Sequence, residues 1–77
     1  MPPETRRYEV HPAHHGRDAT HTVEGASYED AALAFIDRWH PAIDADGEVT
    51  LMVADCETGR QVCLRVDLDD GTTAPCD

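Results

Sequence analysis

The sequence predicts an α+β fold: one small domain with a single helix packed on one face of a four-stranded, mainly antiparallel sheet. Three observations carry this. Four stretches, at 6–12, 19–24, 48–55 and 61–68, alternate apolar with polar residues, the period of a half-buried strand. Between the second and third, apolar residues recur with helical spacing. At 77 residues, 40% of them hydrophobic, the chain has material for one core and too much apolar character for a solvated disordered chain. The order is therefore β-β-α-β-β over residues 6–71, with a flexible arm at 1–5 and an irregular tail at 72–77.

The first strand is expected from Arg6 to Pro12, where Tyr8 and Val10 alternate with Arg7, Glu9 and His11. The next alternation places His21 and Val23 on one face and Thr20, Thr22 and Glu24 on the other. Pairing Tyr8 with Val23 and Arg7 with Glu24 puts apolar groups together on one side and opposite charges together on the other. Gly25-Ala26 then turns the chain into Ser27-Tyr28-Glu29-Asp30, a capping-box pattern. The helix it starts runs to about Trp39 or His40, stopped by Pro41, with Tyr28, Ala31, Ala32, Phe35, Ile36 and Trp39 on its apolar face. Leu33 sits at the boundary of that face. In the second hairpin, Val49, Leu51 and Val53 face Val62, Leu64, Val66 and Leu68. A turn centred on Thr58-Gly59 pairs Val53 with Leu64 and Leu51 with Val66.

Charge excludes more than any motif includes. Sixteen acidic residues stand against six arginines and no lysine, a net charge of -10. Binding to nucleic acid or to an anionic membrane needs a cationic surface, so neither is an expected partner. No apolar run approaches the roughly 20 residues that span a bilayer, and the N-terminus has no signal-peptide pattern. The expected location is therefore cytoplasmic. Arginine without lysine fits a bacterial source. The acidity is uneven: residues 44–77 carry -7, whereas residues 1–17 carry +1 and are rich in histidine. The second half thus expects a basic partner, and the first is where metal or pH effects belong.

Candidate chemistry is sparse. His11, His14 and His15 lie close together and His21 returns beside them on the partner strand, so these four are the candidate ligands of a divalent ion. Their spacing matches no metal motif, and no cofactor is expected. Asp44 to Glu48 and Asp67 to Gly71 have the composition of calcium loops, but their glycines fall at the wrong positions, and they read as turns. The three cysteines, Cys56, Cys63 and Cys76, fit no zinc or redox spacing and are expected to stay reduced. Cys56 and Cys63 would pair only if the hairpin brought their Cα atoms within about 7 Å. With no nucleophile elbow, P-loop or dinucleotide motif, no catalytic residue is assigned, and the chain is not expected to be an enzyme.

The sheet face away from the helix carries Arg7, Glu9, His11, Thr50, Met52, Ala54, Cys63 and Arg65. Met52, Ala54 and Cys63 form an apolar island there. This face, or an edge strand, is the expected site for an unknown protein partner or for a homodimer.

Two resemblances follow. Residues 22–35, Thr-Val-Glu-Gly-Ala-Ser-Tyr-Glu-Asp-Ala-Ala-Leu-Ala-Phe, resemble the strand–cap–helix stretch of HicB-type antitoxins. This chain departs from them by continuing into a second hairpin, with no DNA-binding segment. Over its full length it looks like a small bacterial domain-of-unknown-function family. That likeness is carried by Ser27 to Ala32, Trp39-His40-Pro41 and the Glu57-Thr58-Gly59 hairpin. Neither resemblance implies an activity or brings functional residues. The expected role is a non-catalytic interaction module. The alternatives are a histidine-based metal module and an antitoxin-like or nucleic-acid-mimicking binder of a basic partner.

Overall fold

The computed structural model describes residues 5–13, 20–41, 43 and 45–76. The expected arm at 1–5 lies almost wholly outside these residues. Along the chain run β1 (Arg6–Pro12), β2 (His21–Gly25), α1 (Tyr28–Trp39), β3 (Glu48–Asp55), β4 (Gln61–Asp67) and β5 (Thr72–Pro75). The strands form one antiparallel sheet in the order β2-β1-β3-β4-β5. Helix α1 lies across β1 to β4 on one side. The α+β class and the one helix among the described residues are as the periodicities require. The sheet has five strands rather than four, because residues 72–75, read from sequence as irregular tail, pair with β4.

The fifth strand follows from a turn that the chain uses twice. At the end of β3, Asp55 Oδ1 accepts from the Glu57 amide at 2.8 Å, and the Gly59 amide donates to the Asp55 carbonyl at 2.8 Å. At the end of β4, Asp67 Oδ1 accepts from Asp69 N at 2.9 Å, and the Gly71 amide donates to the Asp67 carbonyl at 2.8 Å. Both glycines adopt the left-handed conformation, with φ 76° and 70°, which side chains resist. Asp-x-x-x-Gly is thus a four-residue reversal. Its second copy sends the chain back along β4.

The same turn corrects the second hairpin's register. Val53 pairs with Val62, Leu51 with Leu64 and Val49 with Val66, two residues from the expected pairing. The Asp55 carboxylate starts the reversal earlier than a turn centred on Thr58-Gly59 would. A slip of two keeps every side chain on its face, since strand side chains alternate with period two. In the first hairpin, Tyr8 pairs with Val23 and Arg7 with Glu24, as the charges and apolar groups demand.

The core lies between sheet and helix. Tyr8, Val10, Val23, Val49, Leu51, Val53, Leu64 and Val66 meet Ala31, Ala32 and Phe35, all buried, with Tyr28, Ile36 and Trp39 packed at the margin. Leu33 is exposed, as its boundary position indicates. Ser27 Oγ accepts from the Asp30 amide at 3.1 Å, and Asp30 reaches back to the Ala26 amide at 2.8 Å. The box therefore closes one residue further out than the standard reciprocal form. A Cβ added to Gly25 would stand 2.9 Å from the Ala31 backbone nitrogen, so β2 meets the helix start only through a residue without a side chain. His40 ends the helix in a left-handed conformation, its amide donating to Ile36. No described helix is long and apolar enough to cross a membrane.

Candidate interaction surface

Opposite the helix, the sheet presents a face that no described element covers. Strand register arranges its side chains in rows across the sheet. One row runs Thr22, Glu9, Ala54, Gln61; the next runs His11, Met52, Cys63, Cys76; a third runs Thr50, Arg65, Ala74. Met52, Ala54, Cys63 and Cys76 are half-buried by their neighbours alone. The island expected from Met52, Ala54 and Cys63 therefore exists, and β5 extends it with Ala74 and Cys76. At one end of the sheet lie Asp46, Glu48, Asp67, Asp69 and Asp70. At the other lie Arg6, Arg7 and Arg60, beside Glu24, Asp55 and Glu57. The face thus has an acidic end and a mixed end, with an apolar centre.

The histidines do not assemble. His21 is opposite Val10, on the helix side, where it stacks on Trp39 with centroids 4.2 Å apart and planes 12° apart. Phe35 and the Arg38 guanidinium complete the surroundings of that indole. His11 pairs with Met52 on the uncovered face. A five-stranded sheet separates the two imidazoles, so they cannot share an ion. Alternation explains this: positions 11 and 21 have opposite parity relative to the paired residues Val10 and His21. His14 and His15 lie outside the described residues, as do Asp18 and Asp44. Among the described residues, no group of three potential ligands converges.

A shallow cavity of about 420 Å³ on the uncovered face is lined by Glu9, His11, Thr20, Ala54, Cys56 and Gln61, among others. It holds a thiol and an imidazole, but they do not form a dyad. Cys56 lies opposite Arg7, four residues along β1 from His11, or about 13 Å at strand rise. Partial desolvation, with the charges of Glu9 and Asp55 added, pushes the thiol of the exposed Cys56 up from its usual range, which disfavours the nucleophilic thiolate.

Sequence reasoning missed one polar cluster, at the mixed end. Asp55 is 2% exposed, the one buried charged residue among those described. Its carboxylate accepts from the Glu57 amide at 2.8 Å, from Arg6 Nη1 at 3.1 Å and from the Thr58 amide at 3.4 Å. The Glu57 amide first, then Arg6 and the Thr58 amide, hold its pKa below the ordinary carboxylate range against the cost of burial. Arg6 also reaches Glu57 at 3.7 Å. Tyr8 sits alongside, its phenol pushed up by burial and then by the charge of Asp55. A cavity of about 770 Å³ opens here between Arg6, Tyr28, Thr58 and Arg60. Most of its polar groups serve the turn and the helix cap, so it reads as a structural corner. The alternation of 48–55 carries its last residue onto the inward face, and that residue is a carboxylate, which the apolar pattern alone does not explain.

The cysteines also differ from expectation. Cys63 and Cys76 form a disulfide, Cα atoms 5.3 Å apart, and Cys56 is free and exposed. Cys63 does not pair with Cys56 because the register sets Met52 opposite Cys63. Its other neighbour is β5, the strand that the sequence reading lacked. The second Asp-x-x-x-Gly was the signal: it fixes the β4–β5 register and places residue 76 across from residue 63.

Comparison with known families decides where the chain belongs. Residues 6–77 match the model of a family of unknown function (DUF5961). The chain is a member of that family. The DUF5961 match begins where β1 begins and includes β5 and Cys76, so the whole sheet and the disulfide fall within the family domain. Membership in DUF5961 agrees with the full-length resemblance read from the sequence and carries no activity with it. No curated protein and no solved structure matches the chain.

Proposed function

We propose that this domain is a non-catalytic interaction module, presenting its uncovered sheet face to a basic protein partner. The observation that carries this reading is the pattern on that face: a half-buried apolar island at the centre and a run of carboxylates at one end. Burying the island supplies affinity, while the acidic end steers and orients a cationic partner. A chain of net charge -10 repels its own copies, which favours a basic partner over a homodimer. A bacterial source belongs to the same reading, supported by arginine used without lysine; a cytoplasmic setting is proposed with it, and there the Cys63–Cys76 bond is open to reduction. The antitoxin-like alternative shares the basic partner and differs only in its identity.

The test is affinity capture with the intact domain, identification of the partner, and measurement of binding with both components purified. Met52→Glu places a charge in the island and is expected to weaken binding at least tenfold. Raised ionic strength is expected to slow association. A partner that binds Met52→Glu as well as the parent domain, or that ignores salt, would refute the reading.

A further inference from the structure

We infer that the Cys63–Cys76 disulfide is a reducible latch, which holds β5 onto the sheet and whose opening bares the outer edge of β4 while the rest of the domain stays folded. The argument begins with how little else holds β5. The strand has four residues, three of them exposed. Among the described residues it pairs only with β4, and α1 packs over β1 to β4. Its residues are two threonines, an alanine and a proline, so it buries little apolar surface, and Pro75 has no amide to donate. Every side chain of the core comes from β1 to β4 or from α1. Losing β5 therefore removes ladder bonds and leaves the core complete.

The disulfide's position suits control from outside. Both sulfurs lie on the uncovered face, half-buried by neighbouring side chains and under no helix. An external dithiol can approach there. One of its thiolates attacks a sulfur of the pair, forming a mixed disulfide and releasing the other cysteine as a thiolate. The second thiolate of the reagent then displaces the remaining cysteine. The dithiol is oxidised to a disulfide, Cys63 and Cys76 gain two electrons, and two protons complete the thiols. Cys56 is not the attacking group, since it lies beyond Met52 by four residues of β3 and the turn, with its thiol pushed up. Opening the latch takes Ala74 and Cys76 off the island and leaves β4 as an unpaired edge, a template for strand pairing.

The experiment is amide hydrogen exchange on the full chain carrying Cys56→Ser, oxidised and then reduced with dithiothreitol, the thiol content verified. Protection of amides in 72–76 is expected to fall at least tenfold on reduction, while Leu51 and Val53 in β3 keep theirs within twofold. Cys76→Ser, never oxidisable at this pair, is expected to match the reduced form. Unchanged protection in β5 after complete reduction overturns the proposal. So does loss of protection in β3 together with β5, because the bond would then be a staple of the whole fold.

Discussion

Asp55 shows how one residue ties the mixed end of the sheet together. Its carboxylate closes the β3–β4 turn through two backbone amides and pairs with Arg6 from β1. Because the fold depresses its pKa, its stabilisation stands in full above the unfolded carboxylate range. It is lost as the pH falls through that range towards the lower folded value. Asp55→Asn keeps an acceptor for the turn and removes the charge beside Arg6. The variant is expected to melt at a lower temperature than the parent near neutrality, with the gap narrowing as the pH falls below the ordinary carboxylate range towards the lower folded value. Thermal melts from neutrality down through the carboxylate range check this, and a constant gap would remove Asp55 as the titrating group. The alternation of 48–55 puts Asp55 on the inward face with Val49, Leu51 and Val53, but does not show what would compensate a carboxylate there. Its burial depends on Arg6, 49 residues away in the sequence.

Among the elements, the helix was the most legible. Its cap, apolar face and stop are local properties of 27–41, and the structure reproduces each of them. Ser27→Ala removes the acceptor for the Asp30 amide and is expected to cost about 1 kcal/mol, read from urea unfolding. The cost should be confined to stability, with β-sheet circular dichroism unchanged in the folded state. The strands were legible as faces and less so as partners. Alternation specifies which side chains point inward, whatever the register. Pairing is set by the turns, and the two Asp-x-x-x-Gly turns act through side chain–backbone hydrogen bonds that periodicity does not register. The expected register was therefore off by two, and the strand after the second turn was missed.

For the molecule as a whole, size governs. A domain of 77 residues is expected to be stable by about 4–12 kcal/mol, from the usual value per residue. Phe35 is the largest fully buried side chain of the core and the contact between helix and sheet. Phe35→Ala is expected to cost about 3–5 kcal/mol, a loss that reaches the unfolding midpoint only at the lower end of the stability range. Urea titration of the variant checks this; a loss under about 1 kcal/mol would mean that the helix is not the lid of the core. Charge acts at this scale too. Asp46, Glu48, Asp67, Asp69 and Asp70 gather at one end of the sheet, giving the proposed partner surface a direction.

The sequence by itself determined the class, the helix, the inward face of each of the first four strands and the net acidity. These follow from periodicity, capping and composition, which act between residues near each other in the chain. Tertiary structure alone decided the rest: the order β2-β1-β3-β4-β5, the pairing of Asp55 with Arg6, and the closing of Cys63 onto Cys76. Each depends on which strand lies beside which. That is fixed by turns and long-range pairings that a one-dimensional pattern records only as a side effect.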